Sequence, residues 1–330
     1  MLRYPPILEY LALKVLITGA TGFLGSRVVS QLLDRGHTVR AVVRQAAKTL
    51  PREWRDRAEI VQADLEISNS LDCLFAGVDV LIHLAAAMHG TTAEKHTATV
   101  LATKRLLEAM RRTGETQHLV LAGSCAVYDF AATRDILSEE SPLETNIYDR
   151  DFYTVSKIMQ EHMTRRFAEE SRWILSVLRP GFIYGSGAGL VAGAGLGLGP
   201  IFLVVAPLAR LRLTHVENCA AAFVDATEKR ISGTFNIIDD DRTLAWQYAG
   251  RLLRYRLRIP VPYHAGLAIA GLATMVARLL LSAGSRALPG MLELRRYRAR
   301  FKPLDYNNRR AKAGLGWQSQ PIFETGCDVT

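Results

Sequence analysis

The run Thr18-Gly19-Ala20-Thr21-Gly22-Phe23-Leu24-Gly25 follows directly on the apolar stretch Lys14-Val15-Leu16-Ile17, and Val28, Val29, Leu32 and Leu33 come after it at helical spacing. A strand that turns through three glycines into a helix leaves few folds open. Gly19 permits the tight turn, Gly22 removes a Cβ where a ligand approaches, and Gly25 lets the helix lie close to the sheet. The unpaired N–H groups of the first helical turn then face outward, a site for the pyrophosphate of a dinucleotide. In a chain with 25 Gly an ordinary strand-to-helix turn is the alternative.

The rest of the chain supports the first reading. Apolar strand candidates at Val15 to Thr18, Thr38 to Val43, Glu59 to Gln62, Val80 to Leu84 and Leu119 to Ala122 alternate with helical patterns, one of them from about Glu94 to Arg112. This alternation predicts an α/β fold with a doubly wound parallel sheet. A helix is expected from about Asp151 to Glu170, then a strand at Ile174 to Leu178. The stretch Gly185 to Gly199 reads as a loop. Further expectations are a strand at Arg212 to Val216, a helix from Asn218 to about Glu228, a strand at Thr234 to Ile238 and a helix capped by Thr243. The domain division is residues 12–180 with 212–240 for the nucleotide-binding part, and 181–211 with 241–330 for a smaller C-terminal substrate lobe and basic tail.

With 330 residues, 49% of them hydrophobic, the chain can bury a large core. Glu9 interrupts the only apolar run near the start, which argues against a secretory leader and for a cytoplasmic protein. Cys73, Cys125, Cys219 and Cys327 have no paired short spacing, so neither disulfides nor a metal are expected. The net charge of +9 is uneven: residues 251–312 carry 14 Lys and Arg against Glu293 and Asp305. No nucleic-acid motif accompanies this cluster, and nucleic acid is not an expected partner. It sits beside the most apolar segment, Val261 to Leu281, which has too few uncharged residues between His264 and Arg278 to span a bilayer. That segment reads as a helix packed on the substrate lobe or as one lying at an anionic membrane surface with Arg295, Arg296, Arg298 and Arg300.

The chemistry points to Tyr153-Thr154-Val155-Ser156-Lys157, where a phenol and an ammonium stand four apart on one face of a helix. The same spacing at Tyr10 and Lys14 enters a strand, where residues four apart are far from each other. Tyr153 opens a helix after the fifth strand, whose end carries Gly123-Ser124-Cys125-Ala126-Val127-Tyr128. In an open parallel sheet, ligands sit at the carboxyl ends of the strands.

In their order along the chain, these features resemble the extended short-chain dehydrogenases/reductases, the NAD-dependent epimerase/dehydratase family. The resemblance rests on Thr18 to Gly25, Asp64-Leu65, His83-Leu84-Ala85-Ala86, Ser124 before Tyr128, Tyr153 with Lys157, and Arg179-Pro180-Gly181-Phe182-Ile183-Tyr184-Gly185. It implies a Rossmann sheet and a Ser124, Tyr153, Lys157 site in which Tyr153 is the acid/base, aided by Lys157, and Ser124 orients the substrate oxygen. For the cofactor it implies contacts from Gly19, Thr21, Gly22, Phe23, Leu24, Gly25, Arg44, Asp64, Leu65, Ala85, Tyr153, Lys157 and Pro180. His83 reads equally as a histidine packed beside the cofactor. Many relatives carry an Asn that arranges the Lys; here Thr99 stands in its place.

Arg44 closes the second strand where an acid would mark NAD, so the cofactor is NADP or NAD with NADP favoured. The sugar branch of the family carries an Asn ahead of the Tyr-Gly pair; this chain has Phe182, and the segment is more similar to the 3β-hydroxysteroid dehydrogenase and dihydroflavonol reductase branch. Ile201 to Val205 would give an apolar wall. The leading expectation is an NAD(P)-dependent oxidoreductase acting on the carbonyl or hydroxyl of an apolar small molecule. The alternatives are a nucleotide-sugar epimerase or dehydratase and a cofactor-binding regulatory protein of weak catalysis; a homodimer is implied by resemblance.

Overall fold

The computed structural model describes residues 12–44, 50–54, 56–86, 92–147, 150–188, 191–252, 257–280 and 292–322. Tyr10, Cys327, Arg254, Arg256 and Arg286 lie outside them, as does the side chain of Arg278.

The chain begins with β1 (Lys14–Thr18), α1 (Phe23–Asp34), β2 (Thr38–Val43), β3 (Ala58–Gln62), β4 (Val80–His83), α2 (Thr92–Thr113) and β5 (His118–Ala122). The short β6 (Ile136–Leu137) precedes α3 (Phe152–Ser171), β7 (Ile174–Pro180) and β8 (Phe182–Tyr184). There follow β9 (Gly195–Leu198), β10 (Ile201–Val205), β11 (Leu213–His215), α4 (Val216–Lys229), β12 (Gly233–Ile237) and α5 (Ala245–Leu252). The last elements are β13 (Leu257–Val261), α6 (Tyr263–Leu280), α7 (Leu294–Phe301), β14 (Asp305–Tyr306) and α8 (Arg309–Leu315).

Seven parallel strands form one sheet in the order β12-β7-β5-β4-β1-β2-β3. Chain direction across the sheet reverses between β1 and β4, where Thr18 pairs with His83. A doubly wound sheet opens its ligand crevice at such a point. The central strands are continuous apolar runs because helices cover both faces. On one face α1 and α4 pack over Val15, Ile17 and Ile82, and on the other α2 and α3 pack over Leu16, Leu81 and Leu121. Ala311, Leu315 and Trp317, far along the chain, return to the first of these cores.

The smaller lobe holds a three-stranded sheet, β13-β10-β9. Here the structure corrects the sequence reading, which left 185–199 as loop: Gly195–Leu198 pairs antiparallel with β10. The reason is steric. Gly195 has φ +151°, and a Cβ there would lie 1.9 Å from the Leu203 carbonyl oxygen, so a glycine that looks like a breaker is what lets the strands meet. The helix expected behind a Thr243 cap starts at Ala245 instead, and it is the Gln247 side chain that accepts the Leu244 N–H at 2.9 Å.

Among the described residues no helix is long and apolar enough to cross a membrane. The buried side of α6 sits against α7, where a Cβ on Gly266 would fall 2.1 Å from the Tyr297 hydroxyl oxygen.

Candidate active site

The glycine turn sits at the end of β1. Gly19 has φ +74°, and a Cβ there would lie 2.8 Å from the Ala85 nitrogen, so the turn packs directly on the segment leaving β4. A Cβ on Gly25 would lie 2.1 Å from the Gly19 oxygen, which makes glycine necessary for the start of α1 to close on the turn. Gly22 is the N-cap residue, with no side-chain cap and no acid in the first turn of the helix. Thr21, Gly22 and Phe23 are exposed, with Leu24 half-buried beside them. This cradle of exposed N–H groups and missing Cβ atoms fits a dinucleotide pyrophosphate.

The other expected cofactor residues lie at carboxyl ends of the same sheet. Arg44 follows β2 and is exposed. Asp64 follows β3, and its Oδ1 accepts the Glu66 N–H at 2.8 Å, fixing the local turn. Leu65 is buried, its carbonyl accepting from Arg105 at 3.1 Å. Ala85 follows β4, and Pro180 ends β7. Gly181 next to it must lack a Cβ, because one there would lie 2.2 Å from the Arg212 oxygen.

Ser124 leaves β5 and caps the short 3₁₀ turn Cys125–Val127, its hydroxyl accepting the Ala126 N–H at 3.1 Å. Asp151 caps α3 by accepting the Thr154 N–H at 3.1 Å, which sets Tyr153 and Lys157 in the first two turns. Tyr153 is 46% exposed. Desolvation pushes its phenol up, and the nearby Ser124 hydroxyl offsets part of that rise. Ser124 thus stands at the carboxyl end of β5 and Tyr153 in the first turn of α3, with Lys157 one turn further along the helix.

Lys157 is buried at 4% exposure. Its ammonium donates to the Ala122 carbonyl at 2.8 Å and to Gln160 Oε1 at 2.9 Å. Two of its three N–H groups are thereby used. Burial lowers its pKa from 10.5 to about 8, partly offset by the charge of Glu161. Glu161 faces Arg179, which also lies 4.7 Å above the ring of Tyr128. Tyr128 itself is fully buried and donates to Asn236 Oδ1 at 2.7 Å, a structural tie away from the reacting groups.

His83 is buried to 1% exposure, and desolvation lowers its pKa to about 3, so it is a neutral imidazole inside the sheet. Thr99 is buried and offers its carbonyl to the Thr103 hydroxyl at 2.7 Å. Sequence reasoning missed Gln160 and Glu161, although both follow Lys157 within one helical turn, at spacings that put them near it.

The expected basic surface of the tail is partly drawn inward. Arg295, Arg296, Arg298 and Arg300 are each half-buried; Arg295 pairs with Glu144 at 3.0 Å, and Arg296 donates to the Arg150 carbonyl at 3.1 Å. Glu144 also pairs with the buried Arg150 at 2.9 Å, so α7 is clamped onto the loop that leads into α3.

A glycine cradle at a sheet crevice with a Ser, Tyr and Lys beside it defines a nicotinamide-dependent enzyme of Rossmann architecture. Residues 15–237 match the NAD dependent epimerase/dehydratase family, and the chain belongs to that family as an NAD(P)-dependent reductase or dehydrogenase. Among curated relatives, it is 28% identical to tetraketide alpha-pyrone reductase 2 of Arabidopsis thaliana over 73% of this chain and 82% of that one. It is 27% identical to 3-diazoavenalumate denitrifying reductase of a Streptomyces species over 95% and 99% of the two chains. Identity to ceramide reductase of Caulobacter vibrioides is 30% over 68% of this chain and 64% of that one. The match to a 3-beta-hydroxysteroid dehydrogenase of Mycolicibacterium neoaurum, at 27% identity, covers 53% of this chain and about half (48%) of that protein's length. In fold it is similar to the UDP-glucose 4-epimerase of Thermotoga maritima, with TM-score 0.68 at 18% identity over 96% and 97% of the chains.

Proposed function

We propose that the protein reduces a carbonyl, or oxidises the matching alcohol, on an apolar small molecule, with Ser124, Tyr153 and Lys157 as its catalytic groups. The observation that carries the reading is the placing of a buried ammonium beside the strand end that bears Ser124: Lys157, one helical turn after Tyr153, donates at 2.8 Å to the carbonyl of Ala122, two residues before Ser124. The nicotinamide cofactor supplies or takes the hydride. In the reductive direction the Tyr153 hydroxyl gives its proton to the substrate oxygen while the Ser124 hydroxyl holds that oxygen in place. Lys157 sets a positive field that favours the phenolate left behind. Gly19, Gly22 and Gly25 at the turn, with Thr21, Phe23, Leu24, Arg44, Asp64, Leu65, Ala85 and Pro180 around the crevice, would hold the cofactor. Exposed Arg44 at the end of β2 favours NADP.

An apolar substrate is supported by the likeness to ceramide reductase and to a 3-beta-hydroxysteroid dehydrogenase, and by Phe182, which stands directly after Pro180 and Gly181. Its ring packs 4.2 Å from the Arg212 guanidinium. Profiling against hydrophobic ketones and nucleotide sugars, with cofactor absorbance as readout, tests the reading. Turnover of nucleotide sugars alone would replace it with the epimerase or dehydratase reading, and cofactor binding without any turnover would favour a regulatory role.

Contact of α6 and the basic tail with an anionic membrane surface belongs to the same reading. Its motive is the exposed apolar stripe Ile269, Leu272, Met275 and Val276. Sedimentation with anionic vesicles at low and high salt tests it. A homodimer in the cytoplasm completes the picture, and light scattering measures the first part.

A further inference from the structure

The side chain that holds the Lys157 ammonium continues into the protein. Lys157 can only donate, so the atom of Gln160 facing it at 2.9 Å is the amide oxygen. The amide nitrogen then lies 2.9 Å from Thr103 Oγ1 and 3.1 Å from His83 Nε2. Thr103 lies 2.9 Å from that same imidazole nitrogen, and His83 Nδ1 lies 2.7 Å from Thr18 Oγ1. Thr18 is the last residue of β1, immediately before the glycine turn. Every member is at least nine-tenths buried: Gln160 at 1% exposure, Thr18 and Thr103 at 0%. One chain of hydrogen bonds thus runs from α3 through β4 and α2 to β1.

We propose that Gln160 is a positioning residue for the reaction: it fixes the Lys157 ammonium against the Ala122 carbonyl, and its own amide is pinned by Thr103 and His83. This rests on the assignment of Tyr153 and Lys157 as catalytic groups. A side chain with a free amide end would rotate, and a buried amide without partners is costly. Here both ends are taken. Thr103 is held in turn by the Thr99 carbonyl, so the helix position occupied by Thr99 contributes its backbone while the amide comes from α3. The charged and titratable groups around Lys157 are Tyr153 and Glu161 on its own helix, His83 on β4, and Arg179 on β7 through Glu161.

The test needs no substrate. With 8 Lys in the chain, ¹³Cε-lysine labelling gives few signals, and Lys157→Met assigns the one of interest. Gln160→Met removes the acceptor and should lower the Lys157 midpoint, while Gln160→Glu supplies a carboxylate and should raise it, each by roughly one unit. Opposite shifts in two near-isosteric variants are not what a filler of space produces. An unmoved midpoint in either variant, or shifts of the same sign, overturns the proposal; should the Met variant not fold, the Glu variant decides by its sign. The catalytic assignment is checked separately from the Tyr153 phenolate absorbance, taken as the difference from Tyr153→Phe. If Lys157→Met leaves that titration where it was, Tyr153 and Lys157 do not act together, whatever Gln160 does.

Discussion

Arg179 Nε lies 3.1 Å from Glu161 Oε2, and both side chains are almost entirely buried. The pair joins the helix that carries Lys157 to the strand that ends in Pro180. Arg165 also bonds Glu161, at 2.8 Å.

Removing one partner of such a pair leaves the other charged and dry. Glu161→Ala should therefore cost about 3–5 kcal/mol of folding stability. Arg179 and Arg165 hold the Glu161 carboxyl below its ordinary value, so its stabilisation is present above the unfolded carboxylate pKa and is lost as pH falls through the lower folded one. Urea denaturation of wild type and variant at pH 7 and in acid measures this. A gap that does not narrow toward acid would show that the pair adds nothing.

Tyr153→Phe should lose turnover by about 10²- to 10⁴-fold and keep nicotinamide binding, because only the proton-carrying oxygen is removed. Steady-state rates on a ketone that the wild type reduces, alongside cofactor fluorescence titration, separate the two effects. A variant retaining a tenth of the rate would exclude Tyr153 as the acid.

Lys157→Met should be inactive yet more stable than wild type near neutrality. Burial lowers the folded pKa to about 8 from an unfolded value near 10.5, so the native state binds fewer protons between these values. Wild-type stability then rises with pH across that window, by up to about 3 kcal/mol, and the variant lacks this rise. Thermal or chemical melts at pH 7, 9 and 10.5 test the sign, and a wild-type curve that tracks the variant's throughout contradicts it.

Arg44→Asp should turn preference from NADP toward NAD, replacing a partner for the 2′-phosphate with an acceptor for ribose hydroxyls. Dissociation constants for both cofactors on both proteins give the answer; unchanged ratios mean that Arg44 only faces solvent.

The main sheet was legible because its central strands are buried on both faces and so read as apolar runs, such as Leu119 to Ala122. The turn at Gly19 and the helix carrying Tyr153 were legible for a similar reason: each follows from local spacing. Strand β9 was hidden because Gly195 looks like a breaker, and only the Leu203 carbonyl opposite explains it. Gln160 escaped notice because its partners Thr103 and His83 are 57 and 77 positions away. The inward turn of Arg295 and Arg296 depends on Glu144 and the Arg150 carbonyl, about 150 residues earlier, so a local count of charge could not show it.

Trp317 is fully buried against the first core, and its indole N–H donates to the Asn218 carbonyl at 2.8 Å. All seven strands of the large sheet have been made by residue 237, some eighty positions earlier. On the ribosome that face must wait, with Phe235 and its neighbours uncovered, until Trp317 has emerged. Translation halted shortly after β12 would release a chain able to pair its strands but exposed to aggregation on the face that α8 and Trp317 cover.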